Sequence, residues 1–303
     1  MAVKKKSLAK YLSTKAISKV GGLAFNPKSL VEGHLAGAHK SPFHGFSVEF
    51  AGHREYMAGD DPKHIDWNVY YKRDKYFIKQ YEAETNLVTH VLLDASESMK
   101  FKSGEISKQD YANTLAVSLA YLITNANDAF GISVFNEKIF EYMPASNSMA
   151  MVYKINDTLE KIKSGKGTDS SHCLMDFAGR LGRRQIVSII SDGLMEPKEL
   201  QAGLARLQFD HHEVIFFHIM DPYEVDFPMD GTVQFEGLEG TGTIKLQPKA
   251  FRKAYLERFK AHVLELQQLC ENNGVEYVPV NTGKPIQELL LGYMNSRLSF
   301  IPH

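Results

Sequence analysis

The sequence is short of cysteine and of long apolar runs. Its two cysteines, Cys173 and Cys270, lie far apart and lack metal-ligand spacing. A chain of 303 residues buries enough surface to need no disulfide, so we expect a reducing compartment, the cytoplasm. The longest apolar runs, 186–190 and 214–220, have the length of strands and fall well short of the roughly 18 residues that cross a bilayer.

Charge is equally uninformative about a polyanionic partner. The net charge of −1 gives no electrostatic reason to expect nucleic acid. The first 31 positions lack acidic residues, and lysines at 4, 5, 6, 10, 15 and 19 interrupt the apolar core that a signal peptide requires. Residues 1–20 are therefore interpreted as a basic, flexible and solvated tail, because termini are usually poorly ordered. The alternative is a basic amphipathic helix over residues 8–20 that contacts anionic lipid or a partner.

Residues 21–86 differ in composition from the rest of the chain. They are rich in glycine, histidine and aromatic residues and poor in helical periodicity. Alternation predicts short strands at 46–50 and 75–81, and Pro62 suits the first position of a helix. Ile65 and Trp67 are expected to be core anchors. This stretch is predicted to form an N-terminal, partly β segment that is distinct from residues 87–303.

From residue 87 onward, apolar strands alternate with helical patterns. Strands are predicted at 88–93, 130–135, 185–191, 214–220 and 275–280, with a further hairpin strand at 137–143. Helices are predicted at 108–125, 149–162, 170–181, 197–207, 248–272 and 284–297. This alternation is typical of an α/β fold with a doubly wound, mostly parallel sheet. A glycine-rich hairpin is expected as an insertion near residues 223–247.

The first of these predicted strands is followed by polar residues that are candidate ligands. Asp94 follows the apolar run, and Ser96 and Ser98 follow Asp94 at alternate positions. Open α/β sheets keep their ligand sites at the carboxyl ends of the strands. These residues offer oxygen alone, which hard cations such as Mg²⁺ prefer. Helix capping is the competing interpretation, because Asp and Ser are preferred N-cap residues.

Two later positions join this set. Thr168 lies in a glycine-flanked loop before a helix, and Asp192 ends the predicted strand at 185–191. Three hydroxyls and two carboxylates can surround Mg²⁺, with Mn²⁺ or Ca²⁺ as alternatives, and can leave one coordination position open. A carboxylate from a protein partner is the natural ligand for that position. The candidate metal ligands are therefore Asp94, Ser96, Ser98, Thr168 and Asp192.

The five-residue set resembles the metal-ion-dependent adhesion site of von Willebrand factor A-type domains. The stretches Arg54-Glu55-Tyr56, Gly59–Pro62, Ile65-Asp66-Trp67 and Lys79–Glu84 resemble family fifty-eight of the bacterial domains of unknown function. This resemblance covers residues 40–200 well. It implies a Rossmann-like von Willebrand A domain over 87–303, and a non-enzymatic adaptor that works with a MoxR-type AAA+ ATPase in complex assembly or remodelling. Many members carry N-terminal membrane helices, and this chain resembles the soluble ones.

A magnesium-dependent phosphatase of the haloacid-dehalogenase kind is the alternative function, because such enzymes also place an aspartate at a strand end. Their chemistry needs a second acid two positions after the nucleophile, and this chain has Ser96 there. The sequence also lacks a Gly-x-Ser-x-Gly motif, a Walker A loop and a His-Glu-x-x-His motif. We therefore expect binding and not catalysis.

Overall fold

The computed structural model describes residues 10–12, 48–57, 62–73, 75–83, 87–162, 172–229, 233–236, 243–246 and 248–298. These residues fall into two compact units. The smaller unit contains the described residues between 32 and 87, and the larger unit contains all the others.

The smaller unit is built on a pair of antiparallel strands. Strands β1 (Val48–Glu55) and β2 (Phe77–Ala83) pair antiparallel, and helix α1 (Trp67–Arg73) lies between them in sequence. Asp66 is buried and accepts hydrogen bonds from the Asn68 amide at 3.0 Å and from the His53 ring. Both strands confirm the predicted ones, although they extend further along the chain.

Trp67 is not the core anchor that we expected. Its side chain is 54% exposed. The indole stands at the first position of α1 and packs edge-on against Tyr70 and Tyr76, with ring centroids 6.1 and 6.4 Å away. The tryptophan therefore contributes to an aromatic surface cluster, and Ile78 is buried instead.

The larger unit contains one six-stranded sheet. The strands are β3 (Val88–Asp94), β4 (Ala129–Phe135), β5 (Ile139–Ser146), β6 (Ile186–Ser191), β7 (Glu213–Met220) and β10 (Glu276–Asn281). Their order in the sheet is β10–β7–β6–β3–β4–β5, and every neighbouring pair is parallel except β4 and β5. The prediction of a mostly parallel α/β sheet is confirmed.

Helices connect and cover these strands. They are α2 (Lys108–Asn125), α3 (Met149–Leu159), α4 (Cys173–Arg180), α5 (Pro197–Phe209), α6 (Pro222–Asp226), α7 (Pro248–Asn272) and α8 (Ile286–Leu298). Strands β8 (Val233–Glu236) and β9 (Thr243–Leu246) form the predicted hairpin. The hairpin is shorter than the predicted insertion, because the stretch that follows Asp221 forms α6.

The sheet is buried on both faces. Leu92, Val187, Ile189 and Phe216 belong to an apolar cluster with side chains from α4, α5 and α7. Successive strand side chains point to opposite faces, so the buried neighbours of these residues face the other layer, where α2 packs on β3 and β4. Burial on two faces explains why the strands are continuous apolar runs in the sequence.

The structure differs from a solvated tail at residues 10–12. Tyr11 is 5% exposed, its amide donates to Asn156 Oδ1 at 3.0 Å, and its hydroxyl donates to Asp110 Oδ1 at 3.0 Å. Lys10 also pairs with Asp110 at 3.0 Å. A single tyrosine between lysines carries no periodic signal, so its burial was not predictable. The rest of residues 1–20 lies outside the described residues.

The described helices include none with the length and apolar character to span a bilayer. The longest of them, α7, has 25 residues and places charged side chains throughout its length.

Arg297 fixes the last helix to the sheet. It is 1% exposed and pairs with Glu213 on β7 and with Glu276 on β10, the latter at 3.2 Å. Both acids lie on strands at one side of the sheet, and the buried guanidinium balances their charges.

Replacing Arg297 with methionine removes the cation with which both carboxylates pair. We expect Arg297→Met to lower the free energy of unfolding by about 3–5 kcal/mol, measured by urea denaturation. The matched control is Arg180→Met, which breaks the exposed pair between Arg180 and Asp176 and should cost less than about 1 kcal/mol. Equal losses in the two variants would contradict the assignment of Arg297 as a buried tie.

His90 is a buried histidine in the middle of β3. Its ring stacks on Tyr142 at 5.5 Å and meets the edge of Phe177 at 5.4 Å. A Cβ at Gly131 would lie 2.6 Å from the ring, so glycine in β4 makes the space for it. Burial lowers the pKa of His90 from 6.5 to about 4. The folded protein therefore holds this ring neutral at pH values where the unfolded chain binds a proton.

His90 should make the fold sensitive to acid. Because its pKa is lower in the folded state, its contribution is complete above pH 6.5 and is lost as the pH falls toward 4. His90→Gln should lessen the decline in unfolding free energy over this interval by about 3 kcal/mol, measured by urea denaturation at several pH values. The exposed His172 provides the control, and His172→Gln should retain the wild-type slope. An unchanged slope in His90→Gln would refute this role.

Candidate metal centre at the carboxyl edge of the sheet

Asp94 ends β3, and its carboxylate organises the residues that follow. Its Oδ1 accepts a hydrogen bond from the Ser96 amide at 2.8 Å. Ser96 precedes a 3₁₀ helix at Glu97–Lys100, but its side chain makes no capping hydrogen bond. The Ser96 and Ser98 hydroxyl oxygens instead lie 3.0 Å apart. The capping interpretation therefore fails for the Ser96 side chain.

Ser191 is part of the site and was missed in the sequence. It is the last residue of β6, and its hydroxyl donates to Asp94 Oδ2 at 2.6 Å. The same hydroxyl accepts from the Gly193 amide at 3.1 Å. Ser191 thus joins the ends of two adjacent strands. The signal was the serine immediately before Asp192, which we interpreted only as the end of a strand.

Asp192 lies beside Asp94 at the end of β6. It is 4% exposed, and its Oδ1 accepts from the Leu194 amide at 3.3 Å. Gly193 has a φ of +71°, and a Cβ there would lie 2.6 Å from Leu266 Cδ2. The turn after Asp192 therefore requires glycine, both for its backbone conformation and for its contact with α7.

Lys108 brings a positive charge into the same site. The side chain starts from the first residue of α2 and is 1% exposed. Its Nζ donates to Asp192 Oδ2 at 2.9 Å and to Glu224 Oε1 at 2.7 Å. These carboxylates raise the pKa of Lys108, although burial opposes the charged form. In the sequence, Lys108 is recognisable only as the start of a predicted helix.

The contact between Lys108 and Glu224 connects the site to α6. Asp221 and Glu224 form a reciprocal capping box at the start of this helix, with Pro222 in its first turn. Asp221 Oδ2 also accepts from the Ser103 amide at 3.0 Å. Asp221 therefore begins a helix and holds the loop between the serine motif and α2.

A histidine and a tyrosine support the main chain of Asp192. His218 Nε2 lies 2.9 Å from the Asp192 carbonyl oxygen, which can only accept, so this nitrogen carries the proton. His218 Nδ1 then accepts from the Tyr277 hydroxyl at 2.6 Å. Burial lowers the pKa of His218 to about 4, which keeps this ring neutral. Gln109 gives Asp94 the corresponding support by donating to its carbonyl at 3.1 Å.

The site holds more negative than positive charge. Lys108 pairs with Asp192 and Glu224, and Asp94 interacts electrostatically with Asp192, so these four residues comprise three carboxylates and one ammonium group. Burial and the charge of Asp192 raise the pKa of Asp94 to about 6. Both effects disfavour a second anion in this environment.

The structure thus brings together four of the five predicted ligands: Asp94, Ser96, Ser98 and Asp192. Thr168 lies outside the described residues, so its position stays a prediction. Within the described ranges, no three His, Cys, Asp or Glu side chains gather as metal ligands. The predicted site is of a different kind, because it combines two carboxylates with hydroxyls.

A family model described as "Protein of unknown function DUF58" matches residues 52–265. The chain belongs to the DUF58 family. An uncharacterized protein of Mycobacterium bovis and one of Mycobacterium tuberculosis are each 23% identical over 285 residues, covering 91% of this chain and 87% of the relative. The DUF58 match includes Asp94, Ser96, Ser98, Thr168 and Asp192.

Two solved structures are similar to this DUF58 chain. BatB from Bacteroides thetaiotaomicron is 18% identical, with a TM-score of 0.48, over 70% of this chain and 98% of that one. An aerotolerance-related membrane protein from Bacteroides fragilis is also 18% identical, with a TM-score of 0.46, over 69% and 99% of the two chains.

Two serines on β6 provide a test of the bridge between the strands. Ser191→Ala removes a hydroxyl that bonds a buried carboxylate and should cost about 1.5–3 kcal/mol of unfolding free energy. Ser188→Ala removes an equally buried hydroxyl that has no hydrogen-bond partner in the described part of the chain, so it should be neutral or stabilising. Chemical denaturation of both variants measures the difference. A cost at Ser188 that matches the cost at Ser191 would argue against the bridge.

Proposed function

We propose that this DUF58 chain is a non-enzymatic protein-interaction module of the von Willebrand A type. In this proposal Asp94, Ser96, Ser98, Thr168 and Asp192 hold Mg²⁺, or Mn²⁺ or Ca²⁺ in its place. A partner protein supplies a carboxylate to the remaining position of the ion. The observation that carries the proposal is the meeting of Asp94, Ser96, Ser98 and Asp192 where the strand order reverses.

The topology supports a ligand site at this point. After β3 the chain builds β4 and β5 on one side, and it then crosses to build β6 and β7 on the other. The carboxyl ends of β3 and β6 therefore flank a topological switch point, where open α/β sheets bind their ligands. Asp94 and Asp192 stand at these two ends.

The donor chemistry supports a hard divalent cation. Adjacent ligands of octahedral Mg²⁺, with bonds of 2.0–2.1 Å, lie about 2.9 Å apart. The Ser96 and Ser98 oxygens are separated by 3.0 Å, which is close to that value. A cation would also balance the excess of negative charge around Asp94 and Asp192. When bound, it would supply an electrophilic position for a carboxylate ligand.

The same donors fit catalysis poorly. A haloacid-dehalogenase-type phosphatase needs an acid two positions beyond its nucleophile to protonate the leaving group. Ser96 occupies that position, and its hydroxyl lies against Ser98. No observation favours the phosphatase over the binding module.

The proposed partner is a MoxR-type AAA+ ATPase, together with the protein whose carboxylate reaches the ion. This part of the proposal rests on the resemblance of the two sequence motifs to their families, whereas the proposed cytoplasmic location rests on the low cysteine content. The role would be that of an adaptor in complex assembly or remodelling. The proposal does not involve nucleic acid, and membrane contact through residues 1–20 is the weaker alternative.

Magnesium titration of the purified chain tests the site. Isothermal calorimetry should show saturable binding to the wild type and none to Asp94→Ala. The control is Asp176→Ala, which removes an exposed aspartate from α4 and should bind like the wild type. At about 100 times its dissociation constant, Mg²⁺ should add about 2.7 kcal/mol to the unfolding free energy of the wild type alone.

Equal heats for wild type and Asp94→Ala would refute the metal site. Turnover of a generic phosphate ester that disappears in Asp94→Asn would replace the binding module with the phosphatase. Affinity purification from the native cell, with and without Mg²⁺, should recover a MoxR-type ATPase with the wild type and lose it with Asp94→Ala.

A further inference from the structure

The proposed function assigns no role to the buried ammonium of Lys108. It contacts Asp192, a proposed ligand, at 2.9 Å while remaining 1% exposed. Its second partner is Glu224, whose side chain is 20% exposed and belongs to the capping box of α6. The lysine is therefore fixed between a proposed metal ligand and a helix terminus.

A cation in the site and the Lys108 ammonium must repel each other. Water cannot screen them fully, because Lys108 and Asp192 are both buried. The ammonium also already neutralises one of the charges that would attract the ion. Its effect on metal binding therefore opposes the effect of Asp94 and Asp192.

We infer that Lys108 is a built-in counter-cation that stabilises the site without metal and weakens the binding of a divalent cation. This inference rests on the proposed function and adds a regulation of its affinity. With Lys108 present, Asp192 does not depend on a metal ion for charge compensation, so the fold forms with or without the ion. The ion is then held loosely, and a partner carboxylate contributes a larger share of the attraction that retains it.

Glu224 makes the inference distinguishable from a purely structural role. If Lys108 only ties α2 to α6, removing either partner disturbs the site in the same direction. If its charge sets the affinity, the two removals act in opposite directions. Loss of the Lys108 charge strengthens cation binding, whereas loss of the Glu224 charge leaves the ammonium less neutralised and weakens it.

The test is Mg²⁺ titration by calorimetry with thermal unfolding alongside. Lys108→Met should bind Mg²⁺ at least about tenfold more tightly than the wild type. Glu224→Gln should bind it more weakly than the wild type, and Lys108→Arg, which retains the charge, should stay close to the wild type. Lys108→Met should also be the variant whose melting temperature rises most on addition of Mg²⁺, because it has lost its internal cation.

A second pair of variants keeps the test valid if Lys108→Met fails to fold. The double variant Lys108→Met, Glu224→Gln removes the ammonium together with one of its two carboxylates, so only Asp192 loses its charged partner, whereas Lys108→Met leaves two acids without theirs. It should bind Mg²⁺ more tightly than Glu224→Gln alone. Equal or weaker binding in this comparison, or in that of Lys108→Met with the wild type, would overturn the inference.

The outcomes separate this inference from the proposed function. If the wild type binds Mg²⁺ through Asp94 and the lysine variants bind it no more tightly, the inference alone fails. If only the lysine variants bind Mg²⁺, the inference holds and the magnesium site of the wild type fails. If neither the wild type nor any lysine variant binds Mg²⁺, both fail together.

Discussion

Asp94 and Asp192 end adjacent buried strands, where water cannot screen their charges from each other. Both are 4% exposed. Each oxygen therefore needs a donor from the protein, and the surroundings provide them: the Ser96 amide and Ser191 hydroxyl for Asp94, the Leu194 amide and Lys108 for Asp192. The local conformation of the loops after β3 and β6 follows from this requirement.

The same requirement extends beyond the two strands. Lys108 needs a second anion, which Glu224 supplies, and Glu224 in turn completes the cap of α6 with Asp221. Asp221 then holds the loop at Ser103, which precedes Lys108 in the chain. These contacts form a closed hydrogen-bond network that links α2, the end of β6 and α6. A change of charge at one of these residues therefore alters the electrostatic environment of the others.

The sequence predicts the sheet well, because its strands are apolar runs buried on two faces. It also predicts Asp94, Ser96, Ser98 and Asp192 at the strand ends, because parallel strands present their carboxyl ends to one edge. It does not predict Lys108 as a buried cation, since its partners are 84 and 116 residues away. Burial of Tyr11 and exposure of Trp67 escape prediction for a related reason: each depends on neighbours from other elements.

These long separations also have a consequence for the order of folding. The hydrogen bond between Ser191 and Asp94 joins residues 97 positions apart, and it requires the pairing of β3 with β6. Pairing between distant parts of the chain costs loop-closure entropy before the stabilising contacts can form, so it tends to occur late in folding. Local structure such as α2 can precede it. Asp94 and Asp192 would then come together only after β3 and β6 have paired. Until that moment, a newly synthesised chain would carry them as separate, hydrated carboxylates.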